Sequence, residues 1–459
     1  MMRWVLVICL ALAGLPARAE MQVPSSQVDI QMGFVPVVKQ VAPAVVNIYA
    51  RRVVNVQSPF SNDPFFQDLF RDFGTQRQRV QNSLGSGVIL GEDGIVVSNY
   101  HVVGEATDIR VVLNDRREFS AKVLLADEES DLAILQLDDA HDMPSLTLRD
   151  SDTVQVGELV LAVGNPFGVG QTVSSGIVSG LARSGTATGN ARGYFIQTDA
   201  PINPGNSGGA LVDVNGSLIG INTAILSRSG GSNGIGFAIP SRLVSQFVTQ
   251  AREGKSTFER PWAGMDGQPV TADMAEGLGL AAPGGVVISQ LHPQSSFLDA
   301  GFQPGDVITA VDGHAVNTPA EMIFRMSVTG IGTEASIAHV RNGEESETDV
   351  RLIAAPDTPP RAQLTTGRNA AIPGMALSTV NPAVISEYAL PLTSRGVVVD
   401  DPGQIGLRAG LRTGDILRGI NDIVVETSAD AEAALEEARR HLFLDVQRGT
   451  QRLTMRFRL

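Results

Sequence analysis

The stretch Asp199-Ala200-Pro201-Ile202-Asn203-Pro204-Gly205-Asn206-Ser207-Gly208-Gly209-Ala210-Leu211 decides how this chain is read. One serine stands among glycines and turn formers. A serine hydroxyl is a weak nucleophile near neutral pH, so it needs a base within hydrogen-bond reach and donors for the oxyanion that its attack creates. Glycines around Ser207 let the backbone curl so that the amides of Gly205, Asn206 and Ser207 can point at one spot.

Taken alone, Gly-x-Ser-x-Gly also fits the nucleophile elbow of an α/β-hydrolase, in which the histidine follows the serine. The histidines after Ser207 are His292, His314, His339 and His441, all in a repeated C-terminal region, and no helix-like pattern follows the serine. The order His, Asp, Ser belongs instead to a double barrel of the chymotrypsin type. Two histidines precede Ser207. His101 lies in Val96-Val97-Ser98-Asn99-Tyr100-His101-Val102-Val103, a strand running into a turn, and is the candidate base; His141 lies in a charged, surface-like loop. The third group is a buried carboxylate that holds the imidazole tautomer able to accept the serine proton. Asp131 suits this role, as an acid at the mouth of the apolar run Leu132-Ala133-Ile134-Leu135. Asp108, Asp115 and Asp127 are alternatives with more polar neighbours, as solvated turn residues have.

From about Val37 to Ile239 the chain is a series of short β-rich runs broken by Gly, Asn and Asp, such as Ile109-Arg110-Val111-Val112-Leu113 and Leu159-Val160-Leu161-Ala162-Val163. Short strands at this spacing indicate a barrel or sandwich. One interruption, Ser58 to Arg79, carries Phe60, Phe65, Phe66, Phe70 and Phe73. It reads either as an exposed loop whose apolar groups find a partner or as a small amphipathic helix on its own domain.

The C-terminal half is duplicated. Ala300-Gly301-Phe302-Gln303-Pro304-Gly305-Asp306-Val307-Ile308 returns as Ala409-Gly410-Leu411-Arg412-Thr413-Gly414-Asp415-Ile416-Leu417, and Gly285-Val286-Val287-Ile288 as Gly396-Val397-Val398-Val399. Copies this long are two small domains rather than solenoid units. Each resembles a PDZ domain. The divisions expected are 1–19 for an export signal, 20–255 for the barrel domain, 260–355 for the first PDZ domain, 356–369 for a Pro-rich linker and 370–459 for the second.

The N-terminus places Arg3 before the apolar run Trp4 to Leu15, then Pro16 and Ala17-Arg18-Ala19, a secretory signal with cleavage expected before Glu20. The twelve-residue run is shorter than the ~20 residues that span a bilayer, so no stable membrane anchor is expected. Cys9 is the only cysteine, so the mature chain is expected to have no disulfide, thiol catalysis or Cys-ligated metal. A net charge of -14, which becomes -16 once Arg3 and Arg18 are removed, disfavours nucleic acid as a partner. No Gly-x-x-x-x-Gly-Lys-[Ser/Thr] loop is present, so ATP is not expected to drive the work.

Together with Gly164-Asn165-Pro166-Phe167-Gly168 and Gly234-Ile235-Gly236-Phe237-Ala238-Ile239-Pro240, these motifs resemble the HtrA (DegP/DegQ) family of exported serine endopeptidases, in the order protease, PDZ, PDZ. The resemblance implies a mostly β, chymotrypsin-like double barrel followed by two PDZ domains, His101, Asp131 and Ser207 as triad, no metal and no cofactor. It implies a periplasmic homotrimer that assembles further around unfolded polypeptide. Asn206 replaces the aspartate with which digestive relatives pair a freshly cut N-terminus, so loop ordering takes over activation. Ile202, Leu226 and Ile235 are implied around the primary specificity pocket, and these branched walls favour cleavage after small aliphatic residues. Arg183, in a Gly-flanked loop from Gly180 to Gly185, matches an arginine of the family's sensor loop; a solvated loop arginine is the plain alternative.

In the first PDZ copy the peptide carboxylate is expected on the amides of Ala263, Gly264 and Met265 in Trp262-Ala263-Gly264-Met265. The second has Ile372-Pro373-Gly374-Met375, and Pro373 has no N–H to give, so it is expected to bind such peptides at least tenfold more weakly. Two other readings of the whole chain stay open: a holding chaperone or PDZ scaffold with incidental proteolysis, and a narrow regulatory protease of envelope-stress signalling.

Overall fold

The computed structural model describes residues 33–57, 76–165, 170–184, 194–203, 205–225 and 234–458. The stretch 1–19 expected to be an export signal, the five phenylalanines of the Phe-rich segment and Leu226 lie outside them.

Twelve strands close into two six-stranded barrels. The first contains β1 (Val45–Gln57), β2 (Gln76–Ile89), β3 (Ile95–Ser98), β4 (Asp108–Val112), β5 (Glu118–Asp127) and β6 (Leu132–Leu137), and the β1–β4 pair seals it. Residues 76–79, read from sequence as the end of the Phe-rich segment, begin β2 and pair with the end of β1. The second contains β7 (Leu159–Gly164), β8 (Thr172–Ser184), β9 (Tyr194–Thr198), β10 (Ala210–Asp213), β11 (Leu218–Ile225) and β12 (Gly236–Pro240), sealed by the β7–β10 pair. Period-two alternation is clear in β4, where Ile109 and Val111 turn inward; β6 has Leu132 to Leu135 wholly buried because neighbours cover both its faces.

His101 sits on a single helical turn, α1 (Tyr100–Val103), where the sequence suggested only a turn. Directly after Ser207 the chain enters β10, but a helix does form further on, α2 (Ser241–Arg252). Its buried Leu243, Val244, Phe247, Val248 and Ala251 recur at helical spacing and join the core shared by the barrels.

The first C-terminal unit has β13 (Met265–Pro269), β14 (Val286–Leu291), β15 (Val307–Val311), β16 (His314–Ala315), helix α3 (Pro319–Thr329), β17 (Glu334–Arg341) and β18 (Glu344–Arg351). The second has β19 (Leu364–Thr365), β20 (Ala376–Thr379), β21 (Val397–Asp401), β22 (Ile416–Ile420), β23 (Ile423–Val424), helix α4 (Ser428–Glu437), β24 (His441–Arg448) and β25 (Gln451–Arg458). Apart from β19, the two sheets share one strand order.

The repeated Gly-Asp has a structural use. Asp306 accepts both the Gln303 amide, at 2.8 Å, and Arg341, at 2.6 Å, while Arg341 also donates to the Gly301 carbonyl. Asp415, Arg412, Arg448 and Gly410 repeat this lock group for group.

The stretch read as a linker is bound to the second unit. Asp357 accepts from Asn381, Arg361 donates to Glu387, and Leu364–Thr365 forms β19 on β20. Its polar, Pro-rich composition misled because its partners are mostly backbone and surface groups.

The units also touch. Phe324 of α3 stacks on Tyr194 with ring centroids 3.9 Å apart, and Phe324 and Val328 extend the barrel core. Trp262 of the first unit is buried against Ile385 and Leu392 of the second.

Candidate active site

The first barrel supplies the histidine and the acid. Asp131 precedes β6 with φ at +52°, a left-handed conformation that Asp tolerates better than most residues. Its carbonyl accepts from Asn99 Nδ2 at 2.9 Å, and its carboxylate accepts from the His101 amide at 3.0 Å. His101 Nδ1 lies 2.9 Å from each carboxylate oxygen. A carboxylate only accepts, so it holds the proton on Nδ1 and leaves Nε2 as an acceptor. From the second barrel, Thr223 Oγ1 donates to Asp131 Oδ2. The Asp131 side chain is 22% exposed rather than buried, so its ordering rests on these donors more than on exclusion of water.

The alternatives are occupied elsewhere. Asp127 binds Arg260 and the Ser130 amide, Asp115 binds Arg117, and Asp108 is an exposed residue at the start of β4. His141 is exposed, its ring facing the Asp139 carbonyl.

Ser207 comes from the loop before β10. Its hydroxyl donates to the Thr223 carbonyl at 3.2 Å rather than to His101. Thr223 therefore touches Ser207 through its backbone and Asp131 through its side chain.

The loop is keyed into the first barrel by Ser86 of β2. The Ser86 amide donates to the Ser207 carbonyl at 2.9 Å, and its hydroxyl accepts from the Asn165 amide at 2.8 Å and donates to the Gly205 carbonyl at 2.6 Å. A Cβ on Gly208 would lie 2.1 Å from the Ser86 carbonyl oxygen, and one on Gly209 would lie 2.3 Å from that of Val163. Gly208 thus serves close approach between the barrels and Gly209 close approach to β7 within the second, beyond the backbone freedom read from sequence.

Of the three amides expected to converge, that of Asn206 is spent within the turn, donating to the Asn203 carbonyl at 2.9 Å. That leaves those of Gly205, whose φ is +99°, and Ser207.

His101, Ser207, Thr223, Leu84 and Ile202 border one cleft of about 250 Å³. Ile202 is buried at its edge, seated over Gly236. Ile235 is half-buried against the main core. Arg183 departs from expectation: its backbone lies in β8, paired with Phe195 of β9, because the two strands extend past two bulges where a loop was read.

The two PDZ loops differ. The carbonyls of Ala263 and Gly264 accept from Ser295 Oγ and the His292 amide, and the Ala263 and Gly264 amides have no acceptor among the described residues. In the second loop Gly374 N donates to the Thr366 carbonyl at 3.0 Å and Met375 N to Thr366 Oγ1 at 2.9 Å.

Ser86 and Thr223 were missed from sequence. Each is a small hydroxyl within a strand, and nothing local reveals its partners 119 and 92 residues away. No group of three or more His, Cys, Asp or Glu able to hold a metal occurs among the described residues.

Residues 85–221 match the trypsin-like peptidase domain family and residues 259–352 the PDZ domain family. The chain is 36% identical to the periplasmic pH-dependent serine endoprotease DegQ of Escherichia coli over 98% of its own length and 95% of that protein. It is 38% identical to DegP of the same species, over 85% of this chain and 80% of that one. Against a probable periplasmic serine protease of Haemophilus influenzae the identity is 38%, over 92% and 91%. Among solved structures, the HtrA-type protease AlgW with a decapeptide aligns at a TM-score of 0.53 and 39% identity, covering 70% of this chain and 99% of that one. Two sealed barrels with a His–Asp pair and a serine at one cleft, a PDZ unit behind them, and this likeness along almost the whole chain lead to one conclusion: the protein belongs to the HtrA (DegP/DegQ) family of serine endoproteases.

Proposed function

We propose that His101, Asp131 and Ser207 are the catalytic triad of an ATP-independent endopeptidase that degrades misfolded polypeptides in the periplasm. The observation that carries this reading is the Asp131 carboxylate, which orients His101 from its own barrel and is held by Thr223 of the other. Ser207 Oγ turns from the Thr223 carbonyl to His101 Nε2, which takes its proton as the oxygen attacks the scissile carbonyl. The Gly205 and Ser207 amides receive the oxyanion, and His101 returns the proton to the leaving amine. With Asn206 in place of an acid, ordering of the loop gates this step. Ile202, Leu226 and Ile235 wall the pocket and favour small aliphatic residues before the cut. Arg183 couples the β8–β9 segment to PDZ occupancy. The first PDZ unit takes hydrophobic C-termini on Ala263, Gly264 and Met265, and the protein works as a homotrimer able to assemble further.

The deciding experiment is Ser207→Ala. Casein cleavage should vanish while the protein stays folded and still binds unfolded casein; turnover close to wild type would remove Ser207 from the mechanism. Light scattering with and without casein tests the trimer and its growth.

A further inference from the structure

In the first PDZ unit, β13 pairs with β14 on one side, and its other edge has no strand partner among the described residues. Helix α3 stands near that edge. This is the arrangement to which an extended peptide adds as a strand, with its carboxylate at the loop before β13.

The corresponding edge of the second unit is taken. β20 pairs with β21 on one side and on the other with β19, antiparallel, matching Leu364 to Leu377 and Thr365 to Ala376. The contact extends beyond these two residues. Thr379 N donates to the Arg361 carbonyl at 2.7 Å, and Thr366 N to the Met375 carbonyl at 2.9 Å. On the helix side Ser428 Oγ, at the start of α4, donates to the Ala362 carbonyl at 2.6 Å. Leu364 packs against the core that contains Met375, Leu377, Ala431 and Leu435. Residues 361–366 thus run between β20 and α4 as a docked peptide would.

Their end is the telling part. The loop matching the carboxylate loop of the first unit is Ile372 to Met375, and Pro373 has no N–H. Its other two amides, Gly374 N and Met375 N, donate to Thr366: one to the backbone carbonyl, one to the hydroxyl. Two oxygens of one residue stand where the two oxygens of a C-terminal carboxylate would be received.

We infer that the peptide groove of the second PDZ unit is filled by the chain's own residues 361–366, with Thr366 imitating a terminal carboxylate. An outside C-terminus can enter only by displacing this strand. The second unit is therefore loaded in cis, and the first alone samples free C-termini. The inference rests on reading both units as peptide-binding.

The test uses full-length Ser207→Ala protein, which leaves the ligand uncut, and a synthetic peptide of residues 357–366 with a free carboxylate. The peptide carries Thr366→Val, so that it ends on a hydrophobic residue as the first unit requires. Calorimetry should find one site per chain. Adding Leu364→Asp and Thr366→Ala, which remove the apolar anchor and the hydroxyl acceptor, should create a second site, tighter by at least about tenfold than any binding to the unmodified second unit. Hydrogen exchange on the unmodified protein gives a second readout. Gly374 and Met375 should exchange as slowly as β21 and β22, and fast exchange there overturns the inference even if the double variant fails to fold. Two equal sites before mutation also overturn it, as does the absence of a gained site after Gly374 has become fast-exchanging. Binding at neither unit would instead count against the peptide-binding reading itself.

Discussion

Arg325 of α3 donates to Asp152, between the barrels and the first PDZ unit, at 2.6 Å, and both side chains are 11% exposed. Arg242 of α2 holds the other carboxylate oxygen, also at 2.6 Å, and His314 Nε2 lies 3.6 Å away. Burial pushes the Asp152 carboxyl up, but the hydrogen bond and charge of Arg325, with Arg242 and His314 behind it, outweigh burial and hold it below the ordinary carboxylate range.

A carboxyl whose folded pKa is depressed stabilises the fold above its unfolded value, and this contribution is lost as pH falls through the folded value. The PDZ–barrel contact should therefore be at full strength near neutrality and weaken in acid, below about pH 4. Arg325→Ala leaves Asp152 with Arg242 and His314 and should cost about 1.5 to 3 kcal/mol. Scanning calorimetry from pH 7 to 3 checks both parts. In Asp152→Asn the acid-dependent loss should be smaller, and an identical pH profile would show that this cluster is not its source.

Ser86→Ala should impair catalysis without emptying the cleft. The hydroxyl fixes the Gly205 carbonyl, and Gly205 has no side chain to hold its own plane. Loss of that bond should lower kcat by about tenfold to a hundredfold while KM stays nearly constant. A lowered melting temperature with unchanged kcat per folded molecule would make Ser86 a packing residue only. Ser86→Cys, which keeps a weaker donor, should recover part of the rate.

Thr223→Val keeps the backbone carbonyl that receives the serine hydroxyl and removes the donor to Asp131. Turnover of a peptide substrate should fall by about tenfold, because the acid loses one of the groups that order it. Equal turnover would mean that the two His101 donors suffice.

Specificity should respond to Gly236→Ala. The added Cβ would lie 2.7 Å from Ile202 Cδ1 and push that side chain toward the cleft. Cleavage after valine should then fall relative to alanine, by about 1 to 3 kcal/mol per methylene excluded. Fragment mapping of casein by mass spectrometry measures the ratio, and an unchanged ratio would remove Ile202 from the pocket.

What could be read from the chain was whatever is local. Ser207 announces itself through its glycines, His101 and Asp131 through the strands they adjoin, and the PDZ units through their repeat. Contacts of high sequence separation were invisible: Asp152 and Arg325 stand 173 residues apart, and neither belongs to a motif. The α2 helix carried a legible period in Leu243, Val244, Phe247, Val248 and Ala251, but in a β-rich domain it was passed over. Residues 356–369 show the opposite failure, since a correct observation of composition gave the wrong structure. Extended strands that bond through their backbone leave little mark on side-chain chemistry.

Trp262 gives the joint between the two PDZ units an optical consequence. The chain has two tryptophans, and the other is Trp4. Any chain without residues 1–19 emits indole light from Trp262 alone, and that ring is 9% exposed, against Ile385 and Leu392. Parting of the units would wet the indole and shift its emission to the red, so separation of the two units at this joint can be followed in real time without a label.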